Sequence, residues 1–289
     1  MADITASMVK ELRDRTAAGM MDCKNALKEC EGDIEKAIDW LRQKGLSKAA
    51  KKVGRATSEG VVAAVVSPDN SKASIVEVMC ETDFVSRGDK FQAFGKNVGQ
   101  TVFDKEPADT AALLEILGDE VNNQIASVGE NMSIGRLAIY SVAANGTIGC
   151  YVHANGKIGV LVELACEKAE TAKNAAFRDL ARNLAMQVAA SSPVAVDPEG
   201  LDSTIVEREK EVSRQKTLAE GKPANIVEKI VEGRIRKFYE EVCLLYQAYI
   251  RDDSKSIQNL LVEEGKALGD KLSIKRFVRL QLGETASEE

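Results

Sequence analysis

Apolar positions recur every third or fourth residue from the start of the chain. Ile4, Met8 and Leu12 mark one helix. Cys23, Ala26, Leu27 and Cys30 follow the i, i+3, i+4, i+7 spacing of a second, and Ile34, Ala37, Ile38 and Leu41 repeat it in a third. Gly32-Asp33 predicts a break and an N-cap, and Gly45 a stop. One module of three short helices is expected over 1–54, too small to bury much by itself. Lys48 to Ser58 reads as a polar linker, with Lys48, Lys51, Lys52 and Arg55 as a solvated hinge.

At Gly60 the period changes. Val61, Val62, Val65 and Val66 are β-branched, Pro68-Asp69-Asn70 supplies a turn, and Ala73 to Met79 forms a second apolar run. This predicts an antiparallel hairpin. The arrangement returns at Thr147 to Val152, with a turn at Asn155-Gly156, and at Ile158 to Ala165. Each hairpin precedes a helical stripe: Phe91, Phe94, Val98 and Val102 in one, Phe177, Leu180, Leu184 and Val188 in the other. A third strand closes each unit, at Ser133–Tyr140 and Ser273–Leu280. The expected fold class is α+β, with two antiparallel sheets that each carry helices on one face.

After Ser192-Pro193 comes a segment of another kind. Asp202 to Ala219 is charged, with only Ile205, Val206, Val212 and Leu218 as large apolar residues. Gly221-Lys222-Pro223 breaks it, and Ile226, Val227, Ile230, Val231, Ile235 and Phe238 form a second stripe. A helical hairpin follows, with about 18 residues per arm and roughly 27 Å of reach. Its apolar face is too narrow for a core, so it should project and meet a partner or another copy. The boundaries read as 1–54 for the module, 55–142 for one core unit and 143–289 for the next, interrupted by a hairpin at 194–238.

The two core units are copies. Glu77-Val78-Met79-Cys80-Glu81 overlays Glu163-Leu164-Ala165-Cys166-Glu167 at an offset of 86 (163 − 77), and Gly60, Val66, Phe91 and Asn97 fall on Gly146, Val152, Phe177 and Asn183. Gly129 to Leu137 overlays Gly269 to Phe277 at an offset of 140 (269 − 129). The second copy therefore carries 54 extra residues (140 − 86) in its middle. Agreement breaks at Thr82-Asp83-Phe84-Val85, which faces Lys168-Ala169-Glu170-Thr171. A loop that departs from its twin, with an aromatic among polar neighbours, is a candidate working part. The competing reading is structural: Thr82 or Asp83 caps the helix before Phe91, and Phe84 packs as a staple.

Charge and composition narrow the function. A net charge of −6 argues against phosphate contacts as the main source of affinity. Aromatics at 4% disfavour stacking platforms, so no direct nucleic-acid partner is expected. Six cysteines without a CxxC pair and one histidine, His153, do not suggest a zinc site, and reduced thiols are the expectation. No apolar run reaches the roughly 18 residues of a membrane span. Met1 to Thr5 lacks the features of an export signal, which points to the cytoplasm. There is no G-x-x-x-x-G-K-[ST] loop, and no G-x-G-x-x-G follows a strand. His153 sits at a predicted turn with no nucleophile near it in sequence. The expectation is a binding protein with no cofactor, no metal and no covalent chemistry.

Leu12 to Leu27, which includes Arg13, Gly19-Met20-Met21 and Lys24, resembles the N-terminal motif of the elongation factor Ts family. Glu77 to Arg87 resembles that family's second motif, centred on Thr82-Asp83-Phe84-Val85. The resemblance runs from Met1 to Gly283 and takes in the duplicated core, Tyr151-Val152-His153 and the hairpin with Gly221-Lys222-Pro223. It implies a ubiquitin-associated-like module and a coiled-coil hairpin. It also implies a guanine-nucleotide exchange factor that binds elongation factor Tu, both GDP-bound and nucleotide-free. The tetrad would then disturb magnesium and phosphate contacts. Arg13, Met20, Met21 and Lys24 would meet the partner's nucleotide-binding domain, and His153 would lie near a second contact. One of the two methionines is also expected in the core. A homodimer within a 2:2 complex is compatible with the resemblance. The chain departs from the family pattern at Met79 (usually Asn) and Gly135 (usually Arg). It also ends before a further C-terminal helix that many members carry, so that contact is expected to be missing. Two other readings compete: a holdase-type chaperone or adaptor that uses the module and hairpin, and an enzyme built around His153.

Overall fold

Three short helices open the computed structural model, which describes residues 4–16, 18–52 and 54–284; the side chains of 46–50, 155 and 224 lie outside the description. The helices are α1 (Ala6–Thr16), α2 (Met20–Glu29) and α3 (Ile34–Ala50). Leu12, Cys23, Ala26, Leu27 and Ala37 are their buried centre, on the faces that the apolar spacing predicts. Asp33 caps α3 by accepting from the Lys36 amide at 3.1 Å. Gly45, expected to end the helix, does not: α3 continues to Ala50. A Cβ at Gly45 would stand 3.3 Å from the Ala126 Cβ, so the glycine serves close helix contact and not termination.

The first core unit follows as β1 (Glu59–Val66), β2 (Lys72–Cys80), α4 (Asp83–Ser86), α5 (Asp89–Lys105), α6 (Thr110–Leu117), α7 (Glu120–Val128) and β3 (Met132–Ser141). The helix that receives α3 is α7, and an Arg42–Asp119 ion pair joins the two sides. The second unit has β4 (Gly146–His153), β5 (Ile158–Ala165), α8 (Ala169–Ala172) and α9 (Ala175–Ser191). It continues through α10 (Ser203–Ala219), α11 (Ala224–Val242), β6 (Ala248–Tyr249), β7 (Asp252–Ser256), α12 (Ile257–Leu268) and β8 (Ser273–Gln281). Two antiparallel three-stranded sheets result, ordered β1-β2-β3 and β4-β5-β8.

Both faces of the central strands are covered, which explains why consecutive residues of β2 and β5 are buried. Val76, Val78 and Cys80 face Phe91, Phe94, Val98 and Val102 of α5. Ala73 and Ile75, on the other side of β2, meet Ile148, Leu161 and Leu280 of the second sheet. Val160, Val162 and Leu164 face Phe177, Leu184 and Val188 of α9. The layers therefore run helix, sheet, sheet, helix.

The repeat carries through to polar detail. In each unit the third strand bulges opposite a buried glutamate, at Gly135-Arg136 facing Glu77 and at Lys275 facing Glu163. Glu77 Oε2 accepts the Arg136 amide at 2.9 Å, and Glu77 Oε1 accepts Arg136 Nη2 at 2.6 Å. Arg276 Nε donates to Glu163 Oε2 at 2.7 Å. Each arginine also reaches into the opposite unit. Arg136 Nη2 donates to the Gln281 carbonyl at 3.1 Å, and Arg276 lies 4.0 Å above the Tyr140 ring.

The insertion is a hairpin of α10 and α11. Asp202 caps α10 by accepting from the Thr204 amide at 2.8 Å. Val227, Val231 and Ile235 are buried along α11, and the buried residues of α10 are Val206, Ser213 and Thr217. Of the four large apolar residues of α10, only Val206 is buried; Ile205, Val212 and Leu218 face water. The seam uses small side chains, which let the helices approach. Ion pairs Arg214–Glu228 at 2.7 Å and Arg234–Glu220 at 2.9 Å bind the arms together. At the root, the Leu244 and Leu245 amides donate to the carbonyls of Ala195 and Val196.

Candidate functional site

Thr82-Asp83-Phe84-Val85 forms one tight turn where β2 leaves the sheet. Thr82 has an extended backbone (φ −124°, ψ 154°) and its hydroxyl accepts from the Val85 amide at 3.4 Å, so it is the N-cap of α4. Val85 packs half-buried on the first core and Ser86 is buried, which anchors the turn from below. Phe84 is 89% exposed, the highest value among the described large apolar side chains. Asp83 pairs with Arg87 at 3.0 Å. The structural reading holds in its capping half, since Thr82 caps α4 ahead of Phe91 while Gly88 is the N-cap of α5, and the staple is corrected, since Phe84 stands in solvent and is not packed as a staple.

Two groups beneath the turn hold it, and neither was singled out from the sequence. Glu130, just beyond the left-handed Gly129 that ends α7, takes Thr82 with both oxygens. Thr82 Oγ1 donates to Oε1 at 2.6 Å and the Thr82 amide donates to Oε2 at 3.0 Å. Cys80 Sγ donates to the Thr82 carbonyl at 3.3 Å, and burial pushes this thiol up to about 12. Beside them, Glu81 accepts from the Asn131 amide at 2.6 Å, and Asn131 Nδ2 donates to the Arg55 carbonyl at 2.8 Å.

The second unit has the same fittings without the aromatic. Cys166 Sγ donates to the Lys168 carbonyl at 3.3 Å, and Asp270 accepts the amides of Glu167 at 3.1 Å and Lys168 at 3.0 Å. Cys166 is the twin of Cys80 and Asp270 that of Glu130, while Glu170 stands in the place of Phe84. The signal for Glu130 was present in the sequence: the overlay of Gly129-Glu130-Asn131 on Gly269-Asp270-Lys271 keeps a carboxylate at one position.

The remaining candidates lie elsewhere. Met20, Met21 and Lys24 share the first turns of α2, and Arg13 is exposed on neighbouring α1. Met20 is 60% and Met21 65% exposed, which corrects the expectation that one belongs to the core. Cys23, Ala26 and Leu27 take the inner face of α2 and turn both methionines outward. His153 is exposed at the end of β4, with Nδ1 2.8 Å from Tyr151 Oη. All six cysteines are free. Among the described residues no three His, Cys, Asp or Glu side chains gather as a metal site, and no helix is long and apolar enough to cross a membrane.

Fold and site together define a duplicated α+β protein with an N-terminal helical module, a helical hairpin in its second copy, and one aromatic held out on a capped turn. The profile of the family described as Elongation factor TS matches residues 81–284. Elongation factor Ts of Desulfovibrio desulfuricans is 57% identical over 283 residues, which cover 98% of this chain and 99% of that protein. Elongation factor Ts of Nitratidesulfovibrio vulgaris strain DP4 is 56% identical over 286 residues (99% and 98%), and that of Lawsonia intracellularis is 54% identical over 291 (97% and 99%). The chain belongs to the elongation factor Ts family, which places it among the elongation factors.

Proposed function

We propose that the chain binds elongation factor Tu loaded with GDP and promotes GDP release by weakening the magnesium and phosphate contacts, so that GTP can load. The partner is bound with GDP and in its nucleotide-free state, and the setting is the cytoplasm. No covalent step is required. A nanomolar nucleotide is held by about 12 kcal/mol, and each ~1.4 kcal/mol of differential stabilisation of the loosened state speeds escape about tenfold. By linkage, nucleotide weakens factor binding by the same factor.

The observation that carries this reading is the exposure of Phe84 on a turn capped by Thr82 and anchored by Val85. Burying such a ring in a partner's pocket supplies about 1.5–3 kcal/mol. Asp83 beside it would meet the partner's magnesium region. Met20, Met21, Lys24 and Arg13 would meet its nucleotide-binding domain, with two unbranched, adaptable methionines at the centre. His153 would make a separate contact from the second unit.

The test is release of fluorescent mant-GDP from elongation factor Tu. Phe84→Ala should slow catalysed release by about 10- to 100-fold, the rate equivalent of that burial energy. Because the ring is almost wholly exposed in the free chain, the variant should melt with the wild type. Equal release rates would remove the wedge.

A further inference from the structure

We propose that Glu130 is the positioning residue of the exposed turn, fixing Thr82 through both carboxylate oxygens so that Phe84 is already in its working place before a partner arrives. The inference rests on the function proposed above and adds to it the group that prepares the turn.

Both contacts are charge-assisted, at 2.6 Å to the Thr82 hydroxyl and 3.0 Å to its amide. The same hydroxyl accepts from the Val85 amide, so the carboxylate orients the group that caps α4. Phe84 is thereby suspended between Thr82, tied to Glu130, and Val85, packed on the core. Glu130 is itself well held. It follows the left-handed Gly129 that closes α7, and next to it the Asn131 amide is bonded to Glu81. Helix α7 also carries α3, through Gly45 against Ala126 and Arg42 against Asp119. One helix therefore supports the module that bears Met20 and Met21, and ends at the clamp that sets Phe84.

A turn loosened by loss of the clamp would have to be ordered on each encounter, and the binding energy used for that no longer reaches the nucleotide. The second unit supplies an internal control. Asp270 makes the equivalent clamp on Glu167 and Lys168, but the turn it holds presents Glu170. A purely structural role would make the two clamps equivalent; a positioning role makes only Glu130 matter for release.

The experiment uses the full chain with Glu130→Ala, Glu130→Gln and Asp270→Ala. It measures mant-GDP release from elongation factor Tu, melting temperature, and hydrogen exchange of the 82–86 and 168–172 amides in the free protein. Glu130→Ala should speed exchange at 82–86 and slow GDP release about tenfold or more. Glu130→Gln should restore release to within about threefold, since its amide can accept from the Thr82 N–H and donate to the hydroxyl. Asp270→Ala should loosen 168–172 and leave release at the wild-type rate. Wild-type release with Glu130→Ala, or an equal loss with Asp270→Ala, overturns the inference. If the wild type itself fails to speed release, the function proposed above fails. In that case unchanged protection at 82–86 in Glu130→Ala would separately overturn the clamp.

Discussion

A phenyl ring standing in water loses contact with solvent only when something covers it, and Phe84 is held where its own chain cannot do so. The residues around it are arranged to keep it there: Thr82 caps, Val85 anchors and Glu130 restrains. The matching carboxylate of the second unit can be followed by acid. A hydrogen bond from Thr171, with the amides of Lys168, Lys271 and Glu167, lowers the Asp270 carboxyl to about 2 from its ordinary 3.8. A folded-state value below the unfolded one contributes stability at pH above the unfolded value, and that contribution fades as pH falls towards 2. Denaturation of Asp270→Asn should therefore show a deficit against the wild type at neutral pH that shrinks between about pH 4 and pH 2. A Cβ at Gly135 would sit 2.6 Å from Glu77 Oε2 and 3.0 Å from Met79 Cε, so this strand position has no room for a side chain beside the buried glutamate.

At the scale of elements, each unit brings its helix very close to its hairpin, but the small residues sit on opposite sides. In the first unit the helix supplies them: a Cβ at Gly95 would stand 2.7 Å from Val61 Cγ1 and one at Gly99 3.0 Å from Ala63 Cβ. In the second unit Ala181 and Ala185 take those helix positions, and the glycine moves to the strand, at Gly149. A Cβ there would fall 2.1 Å from the Ala181 carbonyl oxygen. Because that obstacle is backbone, Gly149→Ala should destabilise by about 3 kcal/mol, at the upper end of the usual overpacking range, as read from urea unfolding. Such elements were legible from sequence because the helices keep an apolar period of 3.6, the strands are β-branched apolar runs bounded by turn residues, and one copy checks the other. The inner and outer residues of α10 were not legible. Its seam is made by Ser213 and Thr217, which no hydrophobic pattern marks, while Ile205 and Val212 point away. Met20 and Met21 were ambiguous for a related reason: adjacent apolar residues at a helix start do not reveal which faces inward. The Thr82–Glu130 contact spans 48 residues, and its purpose emerges only once the fold closes.

Across the whole molecule, the two units are fastened by paired arginines that each serve a glutamate at home and a neighbour abroad. Arg136 holds Glu77, which is 1% exposed, and reaches Gln281; Arg276 holds Glu163 and covers Tyr140. Removing Arg136 leaves the Glu77 charge buried without its partner. Arg136→Met should destabilise by about 3 kcal/mol, and adding Glu77→Met should recover a substantial part of that in the same unfolding measurement. The two sockets built on Glu130 and Asp270 have one further consequence. They are corresponding seats with different fittings: Glu130 takes the Thr82 hydroxyl and amide, and Asp270 takes the amides of Glu167 and Lys168. Lys168→Thr with Glu170→Phe should be accepted without loss of folding and would give the chain a second blade, facing whatever the far unit faces, where the molecule now carries a blank.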